Sequence, residues 1–416
     1  MLNPTERELL LTCARQALTP ELARRAGELF AVTHDWQEVL DAANRHGIAP
    51  LLFHHAQSSA VNIVPSEVLH RLRQTYVRSA FRYRVHASAI AEFAERFSQR
   101  EISFLLLKGA GVAPTLYRDP ALRPFADIDL LIRESNIDAT KQALIDCGYE
   151  IAPELLSEKL NRKYHFNLPF VRREPVPVHV ELHWRLTDRF NFVRFDSDDL
   201  FSRSRLISGE NDGEGGLPDE DNFIYLAAHL DTHGYLNRVI VARDTDELRS
   251  FFLNELSGDR LIWLTDLHEL ATKDLNWDTV VRRARESGTS GILRVTLELL
   301  KALLSTTFPE HLIEATSRPV VTWPRRQIGV YVLELARDQR RKSALQKFLR
   351  RTLLSTRTGF ELRLIRLLDI WQYIFPARTL VPKNYFAHVG GALAQCGKMF
   401  FELSWRRAFR ALTPRA

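Results

Sequence analysis

Phe125-Ala126-Asp127-Ile128-Asp129-Leu130-Leu131-Ile132 decides how this chain is read. Its two carboxylates and its apolar residues alternate at period two, the period of a β-strand whose successive side chains point to opposite faces. A strand is therefore expected from Ala126 to Ile132, with Ile128, Leu130 and Ile132 in a core and Asp127 and Asp129 together on the other face. Two carboxylates held that close repel each other, and burial adds to the cost. A divalent cation removes the cost by taking both as oxygen ligands, as Mg2+ prefers.

Upstream, Ile102-Ser-Phe-Leu-Leu-Leu107 has the short apolar run of a buried strand and stops at Lys108-Gly109. Ala110 to Tyr117 is long enough for two helical turns. The Lys108-Gly109-Ala110-Gly111 turn between them offers backbone N–H groups at a helix N-terminus, a seat for phosphate. Lys108 adds a point charge there, and Arg123, on the Pro-marked loop 118–124, is placed to clamp a phosphate through two parallel hydrogen bonds. Downstream, Glu134-Ser135-Asn136 starts a helix that reaches Cys147, with Gly148 at its end. Two further strands are expected, Tyr164 to Val171 and Val176 to Trp184. In the second, Val178, Val180, Leu182 and Trp184 form the apolar set, and His179, Glu181 and His183 share the opposite face. Set beside the Asp strand, this one contributes Glu181 as a third carboxylate. Three carboxylates can hold two metal ions about 3.5–4 Å apart, an arrangement suited to in-line displacement at phosphorus. His183 is read either as a pocket-lining group that orients Glu181 or shuttles a proton, or as a satisfied histidine at a sheet edge.

The flanks read as helices. Leu9, Leu10, Cys13 and Ala17, then Leu22, Ala26, Leu29 and Phe30, recur at three and four. Asp35 is an N-cap, with Glu38 completing an Asp version of the capping box and Gly47 as the stop. Pro65-Ser66-Glu67 opens a longer helix, Val68 to about Gln99, whose Arg71, Arg73, Arg78, Arg82 and Arg84 are read first as a solvated face with stems lying over the core and second as a basic stripe facing an anion. Gly209 to Asp221 is a surface linker, and helices resume at about Asp221 and run to about Ser305. His229 and His233 lie four apart on one helix face, a metal-ligand spacing, but without the Glu of a His-Glu-x-x-His site. Lining the pocket and a plain structural role are their other readings. Asp266 and Arg260 are read as a structural ion pair.

The order of elements describes an α+β chain, a small mixed sheet flanked by N-terminal and C-terminal helical regions. Four regions follow: an N-terminal helical region at 1–100, the α+β core at 101–208, a helical domain completing the cleft at 218–318, and a basic helical region at 319–416. Charge divides along the same lines. The 416 residues carry 57 Lys+Arg against 51 Asp+Glu, net +6. From residue 319 onward there are 19 basic and 5 acidic residues, so an acidic body carries a basic C-terminal quarter. That quarter is read first as a cap docked on the body, second as amphipathic helices on an anionic membrane surface, and third as a nucleic-acid contact. With 24 Phe, 7 Trp and 10 Tyr the chain has ample apolar area to fold, and no apolar run approaches the ~18 residues of a spanning helix. The first residues lack the basic start and apolar core of a signal peptide. Cys13, Cys147 and Cys396 are far apart, as structural thiols in a reducing cytoplasm would be. The expected location is cytoplasmic, with peripheral attachment to the inner membrane face open through the basic quarter.

Residues 105–132, Leu-Leu-Leu-Lys-Gly-Ala-Gly-Val-Ala-Pro-Thr-Leu-Tyr-Arg-Asp-Pro-Ala-Leu-Arg-Pro-Phe-Ala-Asp-Ile-Asp-Leu-Leu-Ile, resemble the signature of a bacterial nucleotidyltransferase family of mostly unassigned substrate, within the DNA polymerase β-like nucleotidyltransferase superfamily. Val180-Glu-Leu-His-Trp184, His229-Leu-Asp-Thr-His233-Gly234 and Arg260-Leu-Ile-Trp263-Leu-Thr-Asp266-Leu are similar to its later segments. The resemblance implies a minimal nucleotidyltransferase fold, Mg2+ with two ions, and an NTP such as ATP that donates a nucleoside monophosphate and releases pyrophosphate. It implies metal binding by Asp127 and Asp129, a role for Glu181 as ligand or general base, and a triphosphate at Gly109. The chain departs from the superfamily in two places. Lys108-Gly109 stands where many members carry Gly-Ser, and an insertion separates Gly234 from Arg260. The expected activity is nucleotidyl transfer to a hydroxyl of a small molecule, a biosynthetic intermediate or a protein. A non-catalytic adaptor of the same fold and a toxin- or antitoxin-type enzyme acting on tRNA or protein are the alternatives.

Overall fold

The alternation of residues 127–132 places their strand at the centre of a mixed sheet. The computed structural model describes residues 1–60, 62–152, 162, 166–187, 193–206, 214–232, 244–254 and 260–316. His233 and the basic region 319–416, with its docking, membrane and nucleic-acid readings, lie outside these residues.

Five helices precede the sheet: α1 (Pro4–Cys13), α2 (Pro20–Val32), α3 (Trp36–Arg45), α4 (Ala49–Ser59) and α5 (Ser66–Ser98). The core follows as β1 (Phe104–Leu107), α6 (Lys108–Leu116), β2 (Asp127–Ile132), α7 (Ile137–Asp146), β3 (Glu150–Ile151), β4 (Asn167–Arg172) and β5 (Val178–His183). Then come α8 (Ser197–Arg203), β6 (Arg205–Leu206) and β7 (Glu214–Gly216). The remaining helices are α9 (Asp219–Thr232), α10 (Thr245–Asn254), α11 (Leu261–Ala271), α12 (Trp277–Glu286), α13 (Ser290–Leu304) and α14 (Glu310–Ala315).

Local signals account for several boundaries. Asp35 caps α3 by accepting the Glu38 N–H at 3.1 Å. The Glu38 carboxylate meets the N-terminal ammonium at 3.2 Å, and the Asp35 cap has no return bond of the kind that completes the box in α1, between Asn3 and Glu6. Gly47, at φ 71°, ends the α3 segment in the left-handed region that glycine tolerates. The α5 arginines 71, 73, 78, 82 and 84 are exposed, while Leu72, Phe93 and Phe97 are buried beneath them. Among the described residues no helix is long and apolar enough to cross a membrane.

The sheet runs β3-β4-β5-β2-β1-β7-β6. β2 pairs in parallel with β5 and antiparallel with β1, and β7 pairs in parallel with the outer side of β1. The reading of 209–221 as a surface linker is corrected here, because Glu214–Gly216 is a strand. Glu-Gly-Gly has little strand propensity; the open N–H and C=O row of β1 recruits it through backbone pairing alone.

The two faces of the sheet have different jobs. Phe104, Leu106, Ile128, Leu130, Val180 and Leu182 pack with Phe93 and Phe97 of α5 and with Ala143 and Leu144 of α7. The Phe93, Phe97 and Phe104 rings sit 5.3–6.0 Å apart in tilted and edge-on pairs. On the other face, Leu105, Leu107 and Leu131 belong to the larger core shared by α1–α4 and α9–α13. The carboxylates project from this second face, so the helical body that buries the sheet also walls the site.

Candidate active site

The register of β2 and β5 assembles the site. Asp127 lies opposite His179, Asp129 opposite Glu181, and Leu131 opposite His183. Because directly opposed residues share a face, the two alternating strands bring Asp127, Asp129, Glu181 and His183 together on the face turned to the helical body. One carboxylate oxygen each from Asp129 and Glu181, with a ring nitrogen of His183, lie within 4.8 Å of one another. That spread suits coordination around a single ion at the usual ligand distances of about 2.0–2.6 Å.

The charges here are compensated within the protein. His183 Nε2 is 3.0 Å from Asp129 Oδ1 and 3.3 Å from Glu181 Oε2. Asn167 of β4, directly opposite His183, donates to Glu181 Oε2 at 3.1 Å. Phe166 stacks on the His183 ring at 5.6 Å. Lys108 donates to Asp129 Oδ1 at 2.6 Å and comes within 3.9 Å of Glu181 Oε2. Its φ of 44° is in the left-handed region, where a residue with a Cβ is strained.

Electrostatics separates the members. Burial works to raise the Asp129 carboxyl, yet Lys108 and His183 outweigh it and hold Asp129 well below the usual carboxylate range. Asp127 shifts upward, first through burial and then through the negative charge of Asp129. That is the repulsion expected of an Asp-x-Asp strand. Burial opposes protonation of His183, but its hydrogen bonds to Asp129 and Glu181 raise it overall. Burial pushes the Tyr225 phenol of α9 up; Lys108 opposes this, and Asp129, Glu181 and Asp127 add to it. Glu181 is the most open of the trio, 33 % exposed against 1 % for Asp129 and 1 % for His183.

Other residues are placed differently from the sequence expectation. Arg123, expected to stand free as a phosphate clamp, is instead engaged by a carboxylate. It is buried, and its Nη2 donates to Asp266 Oδ2 of α11 at 2.6 Å, while Nε reaches both carboxylate oxygens at 3.2 Å. The Tyr117 hydroxyl donates to the same carboxylate at 2.8 Å. The expected Asp266–Arg260 pair is therefore replaced by an Asp266–Arg123 pair. Arg260 is exposed at the N-cap of α11, and Asp266 has turned inward. Gly109 is needed for close approach: a Cβ there would lie 2.4 Å from Phe125 Cβ and 2.7 Å from Arg123 Nη1. His229 packs edge-on against Trp263 at 4.9 Å. It is not a member of the Asp129, Glu181 and His183 cluster.

Asn167, Phe166 and Tyr225 were not expected from the sequence. For Asn167 a signal existed. Asn167, Pro169 and Val171 alternate on β4 and lie opposite the polar face of β5. Tyr225 carries no comparable pattern, since it sits within the apolar run Phe223 to Ala228.

The family model of an uncharacterised nucleotidyltransferase matches residues 33–305. That span includes every residue of the site just described. No protein in a search of curated proteins matches the chain.

Proposed function

This chain belongs to the uncharacterised nucleotidyltransferase family and is a transferase of nucleotidyl groups; on that premise we propose that it moves a nucleoside monophosphate from an NTP to a hydroxyl acceptor with a divalent metal held by Asp129 and Glu181. The observation that carries this reading is the opposition of Asp129 and Glu181 across β2 and β5, with His183 beside both. The donor set fits a divalent ion: two carboxylates supply hard oxygens, and an imidazole nitrogen in reach suits Mn2+ as well as Mg2+. Asp127, one step along the same face, would serve a second ion. The metal, when bound, would stabilise charge on the α-phosphate and the leaving pyrophosphate.

The residues of the chain would divide the remaining work. Asp129, shut from solvent and kept ionised, would hold the ion at all working pH. His183 would fix the orientation of both carboxylates. Glu181 is the member open enough to meet an acceptor, and it would take the hydroxyl proton as the acceptor oxygen bonds to the α-phosphorus and the bond to pyrophosphate breaks. The uncapped N-terminus of α6 begins where β1 ends, at the residue opposite Asp129. Its free N–H groups would receive the triphosphate.

The test uses the full chain, Mg2+ or Mn2+, each labelled NTP in turn, and cell extract as the source of acceptor. Label transfer with pyrophosphate release is expected, and its loss is expected in Asp129→Asn and Glu181→Gln. Either variant retaining wild-type transfer would refute the assignment.

A further inference from the structure

Lys108 claims the same two oxygens as the proposed metal. Its ammonium is 2.6 Å from Asp129 Oδ1 and 3.9 Å from Glu181 Oε2. Asp129 is 1 % exposed, and a buried carboxylate left without a positive partner is strongly destabilising. His183 shares one ring nitrogen between both carboxylates, so Lys108 is the principal cation that neutralises the pair. Two features set it apart from a fixed structural partner. Its side chain is 19 % exposed, against 4 % for Arg123 in the closed pair with Asp266. Its backbone holds a left-handed conformation at the junction of β1 and α6, strain of the kind that persists where a side chain must be aimed at a particular point. From that junction a four-carbon stem can serve two places: the carboxylates, and the uncapped start of α6, which carries no side-chain cap.

We propose that Lys108 is a tethered counter-ion that guards the metal site: it neutralises Asp129 and Glu181 in the metal-free protein, yields both oxygens to a divalent metal, and turns to the phosphates of the nucleotide. The inference rests on the reading of Asp129 and Glu181 as metal ligands. Its consequence is thermodynamic. Metal alone must expel an ammonium that then has no partner, so it binds weakly. With nucleotide present the expelled ammonium gains phosphate oxygens, so metal and nucleotide each tighten the other by the same factor.

The experiment measures Mn2+ binding to the full chain by calorimetry and by the spin-resonance signal of free Mn2+, with and without an α,β-methylene NTP that cannot react. For wild type, the analogue is expected to tighten Mn2+ at least tenfold. Lys108→Met is expected to bind Mn2+ alone at least tenfold more tightly than wild type, and the analogue, whose phosphates still contact the metal directly, is expected to tighten Mn2+ by a smaller factor than it does in wild type. Lys108→Arg, which keeps the charge, is expected to bind Mn2+ alone as weakly as wild type. A Lys108→Met protein that binds Mn2+ no more tightly than wild type overturns the proposal. So does a wild type in which Mn2+ and analogue bind independently, a measurement that needs no variant. If the wild type takes up no Mn2+ even with the analogue, the metal-site reading itself fails and this inference falls with it. Normal coupled uptake that Lys108→Met leaves unaltered overturns only the role of Lys108.

Discussion

Asp266→Asn removes one charge from a buried pair while keeping its shape. Asp266 is 0 % and Arg123 4 % exposed, and the carboxylate receives Arg123 Nη2 at 2.6 Å, Nε at 3.2 Å and the Tyr117 hydroxyl at 2.8 Å. An amide oxygen can keep the Tyr117 bond and one bond to Arg123. What it cannot supply is the counter-charge. Removing one member of a buried ion pair costs about 3–5 kcal/mol, because the other charge stays buried and unpaired. Asp127 also contributes to the field at Arg123 and offsets part of the loss, so the expected cost is at the low end, about 3 kcal/mol. At about 1.5–2 °C per kcal/mol for a body of about 300 residues, the melting temperature should fall by roughly 4–6 °C.

Thermal melts followed by circular dichroism, with urea titration for the free energy, measure the effect. Asp266→Leu with Arg123→Met is the control. A buried pair replaced by apolar groups of similar volume is often near neutral, so the double variant should be more stable than either single one, with a favourable coupling in the mutant cycle. An Asp266→Asn protein within about 1 kcal/mol of wild type would refute the reasoning, because a pair that cheap to break is not electrostatically buried. A double variant that merely sums the single losses would refute it equally.

Gly109→Ala should cost about 1–3 kcal/mol through overpacking and should sharply lower transfer, because its Cβ would meet Phe125 Cβ at 2.4 Å. Phe125→Ala should not rescue it, since the clashing carbon remains; rescue in a coupled transfer-and-melt assay would count against this packing. His183→Leu deletes both contacts that orient the carboxylates and should weaken Mn2+ binding about 10–100-fold, with His183→Gln closer to wild type; equal titrations for the two would contradict an orienting role. Stability should fall as pH drops from 6.5 to 5. Burial lowers His55, His86 and His268 from 6.5 to about 4, so over that window the unfolded chain takes up protons that the folded one refuses. The slope is at most about 1.4 kcal/mol per pH unit for each histidine. Urea midpoints unchanged between pH 6.5 and 5 would show that these histidines are not held neutral.

The residues that could be read from the sequence share one property: a local pattern sufficient to decide the outcome. Period-two alternation decided β2 and β5 within about two residues and put Asp127 and Asp129, and separately Glu181 and His183, on single faces. Their meeting needed the pairing of two strands separated by a helix and two other strands, which no local pattern encodes. The partner of Arg123 is hidden from the sequence for a related reason. An arginine preceding an Asp strand looks free to clamp a phosphate, and its capture by Asp266, 143 residues away, is a tertiary event. β7 leaves no side-chain pattern in the sequence because its pairing is made by backbone atoms. Gly109 has the clearest cause: its place in a turn suggested phosphate, and its fit beneath Phe125 adds a steric requirement that only the assembled structure displays.

Two buried ion pairs anchor the polar face of this sheet, and their difference in exposure separates structure from chemistry. Arg123–Asp266 is closed on both sides and ties the loop before β2 to α11, across the join between the sheet and the helical body. The Gly109 turn packs directly against Arg123 and against Phe125, two residues further on. Lys108–Asp129 has a buried anion and a partly open cation, and it adjoins Glu181, the most open member of the trio. A buried carboxylate requires a positive partner at every moment but does not dictate which one. Where the cation can leave, the carboxylate is a site that can pass from one positive charge to another, and where it cannot, the carboxylate is part of the frame. By that criterion the proposed chemistry would fall to Asp129 and the frame to Asp266, although each appears in the sequence as an aspartate followed by leucine.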